Sequence, residues 1–492
     1  MLLKDLIMGL DVLEVCGNSD IGISGIAYDS RKVRQGDIFV CIKGFSVDGH
    51  DFINAALRNG ATALLVEQEI NVPESITVVR VKDTRYAIAY ISNIFFGQPS
   101  NRLDIIGVTG TKGKTTTTFM IKSILEAARQ KVGLIGTLGT RIGDATIQTE
   151  RTTPEAYDLQ YLFSEMADKN VDSVVMEVSS QGLELHRVSC CNLDIGIFTN
   201  LSQDHISPNE HNSMEDYFNA KLKLFKMCKT GIVNIDHPYG EEVIQKAECR
   251  VLTYGIDKDA DIKALNIVSN KSYVEFDLQS PWGERRIKVS APGRFSIYNA
   301  LAAIGASGVL GASTDDMAEG LEKISVPGRA EVIYTGNGFA VLTDYAHTPD
   351  SLENILKTIK NSSEGRVVCV FGCGGDKDRI KRPLMGEISG RIADFTIITS
   401  DNPRTEEPYA IIREIEEGIK KTDAEFIAIV DRREAIKYSI LNAKPGDIII
   451  LAGKGHETYQ IFKDKTIHFD EREVVKEIID ELDKVLRKGD FR

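Results

Sequence analysis

Between residues 103 and 128 the chain reads LDIIGVTGTKGKTTTTFMIKSILEAA: an apolar run, a glycine-rich turn, a threonine cluster, then apolar residues at helical spacing. Leu103, Ile105, Ile106 and Val108 predict a buried strand, and Phe119, Ile121, Ile124 and Leu125 predict one face of a helix. The same alternation continues to about residue 327. Strands are expected at Ile105–Val108, Gly133–Ile135, Ser173–Glu177, Ile195–Thr199 and Ile232–Ile235. Helices lie between them, such as Pro154–Asp168 with proline at the favoured first helical position. From 328 onward the pattern repeats, with strands expected at Val341–Asp344, Val367–Phe371, Thr396–Ile398, Phe426–Ile429 and Ile448–Leu451. Alternation of this kind predicts α/β architecture with mostly parallel sheets covered on both faces.

The first hundred residues read differently. GISGIAYDSRKVRQGDIFVCIKG alternates apolar and polar positions with turns at Arg34–Gly36 and Gly44, and DGHDFINAALRNGATALLVE reads as helix, glycine stop and strand. A linker is expected at Phe96–Asn101, which holds Gly97 and Pro99. At 492 residues the chain is too long for one core. Three domains are expected, at 1–99, 100–327 and 328–492: a mixed α/β domain, a phosphate-loop parallel-sheet domain and a Rossmann-like domain.

Composition narrows the function classes. With 42% hydrophobic and 27% charged residues the chain has ample material for globular cores. A net charge of −13 argues against a general nucleic-acid or anionic-membrane surface, so anionic ligands need local cationic sites. The eight cysteines show neither CxxC nor zinc spacing, which points to reduced thiols in a cytoplasmic protein. Lys4 and Asp5 precede no long apolar run, so neither a signal peptide nor membrane insertion is expected.

Strand, glycine loop, Lys-Thr and helix form the context of a phosphate-binding loop. Gly110 and Gly113 permit a tight turn that presents N–H groups, Lys114 supplies a cation, and Thr115 places a hydroxyl where Mg²⁺ would sit. The spacing is TGTxGKTxT rather than GxxxxGK(S/T), because Val108 stands at the first glycine position. Ligands of parallel sheets collect at the carboxyl ends of strands. Polar clusters fall there at Gly110–Thr116, Thr152-Thr153, Glu177–Ser180 and Asn200–His205, and later at DYAHTPD, GCGGDKDR, SDNPRTEEP and GKGHET. Glu177 and His205 offer a carboxylate and an imidazole to Mg²⁺. Lys221, among Phe218, Leu222 and Phe225, reads as a lysine snorkelling to the surface. The Arg329–Glu331 turn either closes onto a nucleotide or is solvated.

Ordered motifs along the whole chain resemble the Mur ligase family: DSRKVRQGDIFVCIKG, DGHDFI, TGTKGKTTT, ERTTPE, MEVSSQGLELHR, TNLSQDH, AKLKLF, YNALAA, PGRAE, TDYAHTPDSL, FGCGGDKDRIKRPLMG, DNPRTEEP and AGKGHE. Within that family they look like the branch that extends UDP-N-acetylmuramoyl-L-alanyl-D-glutamate. The resemblance implies that ATP phosphorylates a substrate carboxylate, an amino acid's amine attacks the acyl phosphate, and an amide forms in peptidoglycan precursor synthesis. It implies that Gly110, Thr111, Lys112, Gly113, Lys114, Thr115 and Thr116 hold the ATP phosphates, with Asn299, Arg329 and Asp344 as further nucleotide contacts. Thr115, Glu177, His205 and Lys221 are implied around Mg²⁺, Lys221 being carbamylated by CO₂. Ser30, Thr152, Thr153, Ser179 and Arg187 match positions that bind the UDP-linked substrate. Asp401, Asn402, Pro403 and Arg404, with Lys377, Gly453 and Glu457, match the site for the incoming meso-diaminopimelate, whose second carboxylate Arg404 can clasp. Departures from the family pattern are Ser296 before YNALAA, Leu185, Lys377 where arginine is usual, and ISPNEHNSMEDY after His205. They leave L-lysine or another diamino acid as an alternative. Folylpolyglutamate synthetase and a non-catalytic nucleotide-binding regulator are the other readings; a monomer is expected.

Overall fold

The computed structural model describes the chain except residues 46, 144, 148, 150, 204–209, 271–272, 364 and 490–492. The chain falls into two compact units, Met1–Lys263 with Gln279–Gly283 and Leu301–Gly320, and Ala264–Leu278 with Glu284–Ala300 and Leu321–Arg492.

The first unit holds two sheets. The N-terminal sheet has five strands, in the spatial order Val12–Cys16, Thr77–Val81, Ala63–Val66, Asp37–Val40 and Gly25–Ala27. Its strands pair in parallel except Val12–Cys16, which runs antiparallel along Thr77–Val81. The expected helix, glycine stop and strand appear as Ile53–Arg58, a left-handed Gly60 and Ala63–Val66. The linker expected at Phe96–Asn101 contains a left-handed Gln98 and runs into a 3-10 turn, Pro99–Arg102.

The central sheet places Arg250–Gly255, Cys228–Asn234, Leu193–Phe198, Asp104–Thr109, Ser173–Glu177 and Val132–Gly136 side by side and parallel. All of Ser173–Glu177 and Val132–Gly136 is buried, which is why these strands read as continuous apolar runs rather than alternating ones. The helix Lys114–Ala127 buries Phe119, Met120, Ile121, Ile124 and Leu125. Such side chains contribute about 1.5–3 kcal/mol each when fully buried. Two features depart from the expected alternation. Gly139–Ile142 and Ala145–Ile147 extend the sheet antiparallel, a hairpin whose short strands carried no strong period-two signal. The helix expected from Pro154 begins at Ala156 with Glu155 as its N-cap, so the proline precedes the cap rather than occupying the first turn.

The second unit contains a six-stranded sheet in the order Glu331–Gly336, Phe339–Asp344, Ile448–Ala452, Val367–Phe371, Phe395–Ile398 and Phe426–Ala428. Only the edge pair Glu331–Gly336 and Phe339–Asp344 is antiparallel. Helices Pro349–Ser362, Lys381–Ile392 and Pro408–Ile419 bury Leu352, Leu356, Met385, Ile412 and Ile415 in one core cluster with strand residues Cys369 and Ile450. Ala435, Ile436, Val475 and Ile478 join Val368, Val370 and Ile449 in another. Among the described residues no helix is long and apolar enough to cross a membrane.

Candidate functional site

In the first unit the strand Asp104–Thr109 delivers the chain into the loop at Gly110, and the helix starting at Lys114 carries it away. Gly110 has φ +147°, and a Cβ there would lie 1.9 Å from Thr199 Oγ1. Gly113, the helix N-cap, has φ +86°. Both positions therefore demand glycine. The loop is braced by the end of the neighbouring strand. Lys112 N donates to Asn200 Oδ1 at 2.9 Å, Asn200 Nδ2 donates to Lys112 O at 3.0 Å, and Thr199 Oγ1 donates to Lys112 O at 2.8 Å. Thr111 N donates to Asn200 O, and Ser202 N donates to Thr111 Oγ1. Lys114 Nζ curls back to Gly110 O at 2.8 Å and Thr111 O at 3.0 Å.

Beside this loop the buried Glu177 ends its strand. Its Oε1 accepts from Thr115 Oγ1 and Thr137 N, both at 2.9 Å, and its Oε2 accepts from Thr137 Oγ1 at 3.2 Å. Thr137 Oγ1 in turn lies 3.1 Å from Thr152 Oγ1. A carboxylate among three threonine hydroxyls is an oxygen-donor set suited to a hard cation. Gly136 leaves the room: a Cβ there would come within 2.4 Å of Glu177 Oε1. His205 lies outside the described residues.

Lys221 is 2% exposed, so the snorkelling expectation is overturned. Its helix, Met214–Leu222, is capped by Ser213 and turns the lysine inward, with Nζ 3.1 Å from Gly110 O and 4.4 Å from the centre of the Tyr217 ring. The apolar neighbours that suggested an amphipathic surface helix are themselves core, because Phe218 and Phe225 pack into the same cluster as Leu224.

Thr153, Ser179 and Arg187 form a second set in this unit. Thr153 Oγ1 accepts from Ser179 N and donates to Glu177 O, both at 3.0 Å, while Ser179 caps the helix Ser180–Glu184 through Gly182 N. Arg187 is buried, with Nη1 on Thr153 O at 3.3 Å and Nη2 3.1 Å from Glu155. Burial and the nearby Arg151 and Arg85 disfavour its charged form, and Glu155 opposes them. Ser30 opens a 3-10 turn in the N-terminal sheet, and its carbonyl accepts from Asn59 Nδ2 at 2.8 Å.

The second unit brings the later motifs together at the carboxyl ends of its strands. Arg329, half-buried, lies with its guanidinium 5.0 Å from the Tyr345 ring centre. Asp344 Oδ2 accepts from Ala330 N at 2.7 Å; burial raises its carboxyl above the usual range, against the pull of Arg329. Asn299 is buried on the helix Arg294–Val309. Ser296, one of the departures, is buried one turn earlier, and its hydroxyl donates to Pro292 O at 2.8 Å.

Arg404 has φ +51°, unusual for a side chain other than glycine, and donates through Nη1 to Gly375 O at 2.8 Å. It is half-buried against the glycine loop of residues 372–376 rather than facing open solvent. Gly375 is required there, since a Cβ would lie 1.9 Å from Pro403 O, whereas at Gly374 a Cβ would lie 2.9 Å from Arg404 Nη1 and push that side chain aside. Lys377 is exposed on the same loop. Asn402 is occupied within the protein, its Nδ2 donating to Glu457 Oε2 at 2.9 Å and its Oδ1 accepting from Lys454 Nζ at 3.1 Å and Ile461 N at 3.0 Å. Burial raises the Glu457 carboxyl, while Lys454 and Asn402 stabilise its charge. Gly453, at φ +113°, passes so close to Asp401 that a Cβ would sit 2.7 Å from Oδ2.

Several residues that hold these sites were not singled out as site candidates, although Arg382 lies within FGCGGDKDRIKRPLMG and Lys454 within AGKGHE. Arg382 is fully buried, donating to Glu406 Oε1 and Oε2 at 2.8 and 2.9 Å, to Glu414 Oε2 at 2.9 Å and to Gly374 O at 3.2 Å. Lys454 is equally buried between Asn402, Glu457 and Tyr459 O. Arg432 and Glu471 pair in the interior, and Arg432 also donates to Ala452 O and Ser400 O at two strand ends. In the phosphate loop Asn200 and Thr137 do comparable work; Asn200 belongs to the TNLSQDH motif, and Thr137 follows directly on the strand Val132–Gly136.

A phosphate loop backed by a buried carboxylate, on a parallel sheet and followed by a Rossmann-like sheet, defines a nucleotide-binding protein of the phosphate-transfer type. The chain matches the models for the Mur ligase family, catalytic domain, at residues 22–96; the Mur ligase middle domain at 108–307; and the Mur ligase, glutamate ligase domain, at 328–455. It belongs to the Mur ligase family. Similar curated proteins include the UDP-N-acetylmuramoyl-L-alanyl-D-glutamate–2,6-diaminopimelate ligases of Caldanaerobacter subterraneus subsp. tengcongensis, 50% identical over 98% of this chain and 100% of that protein, and of Alkaliphilus metalliredigens, 47% identical over 98% of each. A solved structure of a ligase of the same name is 32% identical with TM-score 0.74, covering 98% of this chain and 99% of that one. The folylpolyglutamate synthase of Mycobacterium tuberculosis, at 18% identity, TM-score 0.61 and 75% of this chain against 92% of its own, shares the fold alone.

Proposed function

We propose that this chain is an ATP-dependent ligase that joins meso-diaminopimelate to UDP-N-acetylmuramoyl-L-alanyl-D-glutamate in peptidoglycan precursor synthesis. The observation that carries the reading is full-length similarity to relatives named for this reaction, one of them 50% identical over 98% of this chain. ATP transfers its terminal phosphoryl group to the substrate's D-glutamyl side-chain carboxylate. The amino acid's amine then attacks that carbonyl carbon, loses a proton, and expels phosphate as the amide forms. Such chemistry is mostly positioning and charge stabilisation.

Residues Gly110, Thr111, Lys112, Gly113, Lys114, Thr115 and Thr116 hold the ATP phosphates, and Asn299, Arg329 and Asp344 are further nucleotide contacts. Mg²⁺ would be held by Thr115, Glu177, His205 and carbamylated Lys221, where it would neutralise phosphate charge. Support for carbamylation is the burial of Lys221 with Nζ 3.1 Å from the loop carbonyl of Gly110. Addition of CO₂ to the neutral amine, with loss of one proton, turns a buried cation into an anionic oxygen donor. Ser30, Thr152, Thr153, Ser179 and Arg187 bind the UDP-linked substrate. Arg404 reads the distal carboxylate of the amino acid beside Lys377, and Asp401 and Asn402 read the ammonium and carboxylate at the same end. Gly453 and Glu457 make further contacts to the amino acid, and Pro403 shapes the turn. The domains are assigned to 1–99, 100–327 and 328–492, and the enzyme to the cytoplasm, as a monomer.

Arg404 tests the amino-acid choice. A charge-assisted, two-pronged pair of about 2–4 kcal/mol corresponds to roughly 30- to 1000-fold preference for meso-diaminopimelate over L-lysine in kcat/KM. Arg404→Ala should collapse that ratio. Equal use of lysine by the wild type, or an unchanged ratio in the variant, overturns the diaminopimelate reading and leaves the ligase reading standing.

A further inference from the structure

Three guanidinium groups converge on one carboxylate beside Thr152 and Thr153. Glu155, 7% exposed, lies 3.1 Å from Arg187 Nη2, 3.6 Å from Arg85 Nη1 and 3.7 Å from Arg151 Nη1. Among the described residues Glu155 is the only ion-pair partner of all three. The side chains of Arg187 and Arg85 are 8% and 17% exposed, and that of Arg151 is 47% exposed, so the cluster is closed on one side and open on the other. Among the described residues, two buried N–H groups there, Arg85 Nη1 and Arg187 Nε, have no hydrogen-bond acceptor. One carboxylate offers too few lone pairs for three forks, and even with Asp158 near Arg151 two carboxylates face three guanidinium groups in a poorly hydrated place. Such an arrangement is costly unless an anion completes it.

The geometry points to Arg85 and Arg151 acting with Arg187 as a receptor for an oxyanion of the UDP-linked substrate, either its diphosphate or a carboxylate of its peptide. Both sources offer the planar or tetrahedral oxygens that guanidinium forks match. Arg85 belongs to the N-terminal part, at the start of the helix Thr84–Phe95, which Asp83 caps through Arg85 N and Tyr86 N. Arg151 and Glu155 flank the two threonines, and Arg187 follows the helix Ser180–Glu184. Glu155 holds the three forks in place without saturating them. This assignment rests on the ligase reading above for the identity of the substrate, not for the presence of an anion site.

The test is steady-state kinetics and calorimetry on the full-length protein, comparing wild type with Arg85→Ala and Arg85→Gln, the second keeping a shorter polar side chain with an amide donor and no charge. The expected result is a KM for the UDP-linked dipeptide raised about 10- to 100-fold, with KM for ATP and for the amino acid within about twofold. The salt dependence of substrate binding should weaken by about one charge, which a merely structural role would not produce. Binding of UDP-N-acetylglucosamine, which carries the diphosphate but neither the peptide nor the lactyl carboxylate, separates the sources: a matching loss assigns the diphosphate, and a loss confined to the dipeptide form assigns a carboxylate. An unchanged KM for the UDP-linked substrate in both variants, or an equal rise in all three KM values, overturns the proposal. If the wild type shows no ligation, inorganic pyrophosphate and citrate serve as probes; binding that both variants retain overturns the anion site, and binding that both lose sustains it.

Discussion

Around Lys114 the contacts include the glycine loop's own carbonyls: Lys114 donates to Gly110 O and Thr111 O, and Lys221 donates to Gly110 O. Around Arg404 the neighbouring cations are committed to carboxylates, Arg382 to Glu406 and Glu414, Arg432 to Glu471, and Lys454 to Glu457. Arg404 itself is the exception and donates to the carbonyl of Gly375. A neutral acceptor is readily exchanged for a ligand's anion, whereas a buried ion pair is expensive to open. On the proposed function Lys114, Lys221 and Arg404 meet ligands, whereas the paired Arg382, Arg432 and Lys454 build the frame. Removing the first kind should cost chemistry with little loss of fold; removing the second should cost fold and shift the site only indirectly.

Lys114→Ala gives the largest effect. Ligation, followed by phosphate release, should fall by at least about 1000-fold, while the thermal midpoint stays within a few degrees. A large drop in the midpoint would place Lys114 with the frame and break the contrast. Lys221→Ala should be nearly as inactive, and millimolar formate or acetate should restore part of the rate by standing in for the missing carbamate. A variant that keeps its rate, or high-resolution density with a plain ammonium, removes the carbamate assignment.

Arg382→Met should behave in the opposite way. Breaking a buried pair whose carboxylates are partly exposed costs about 2–3 kcal/mol in denaturant unfolding, with KM for ATP unchanged. The same substitution changes the acid limb of stability. Arg382 holds the Glu406 carboxyl at about 2, below its ordinary value of 4.5. Because the folded state binds this proton less readily than the unfolded state, the pair's contribution is complete above about 4.5 and is lost as pH falls toward about 2. Acid titration of the wild type should show that decline, and Arg382→Met should lose the part due to Glu406. An identical acid limb in both proteins would show that the pair does not set it.

The phosphate loop was readable because its requirements are local: a strand, glycines at positive φ, a lysine and a helix follow one another within a few residues. The strand positions were readable for the same reason, since a fully buried parallel strand has to be a continuous apolar run. Where the expectation failed, a long-range fact decided. Whether Pro154 starts a helix depended on Glu155 taking the cap position and pairing with Arg187, 34 residues away from Thr153 by the hydrogen bond that also fixes that arginine.

By itself, then, the chain's order of apolar runs and glycine turns determined the α/β class, the phosphate loop and the positions of the polar strand ends, because backbone geometry and burial act on neighbours in sequence. Only the tertiary structure decided that Lys221 is interior and that Arg382 reaches Glu406 and Glu414, 24 and 32 residues away. A lysine among phenylalanines reads the same on a surface helix and on a buried one, and an arginine is acceptable at almost any exposed position. What distinguishes them is the partner that the fold brings within 3 Å or so, and partner choice is a property of packing rather than of local pattern.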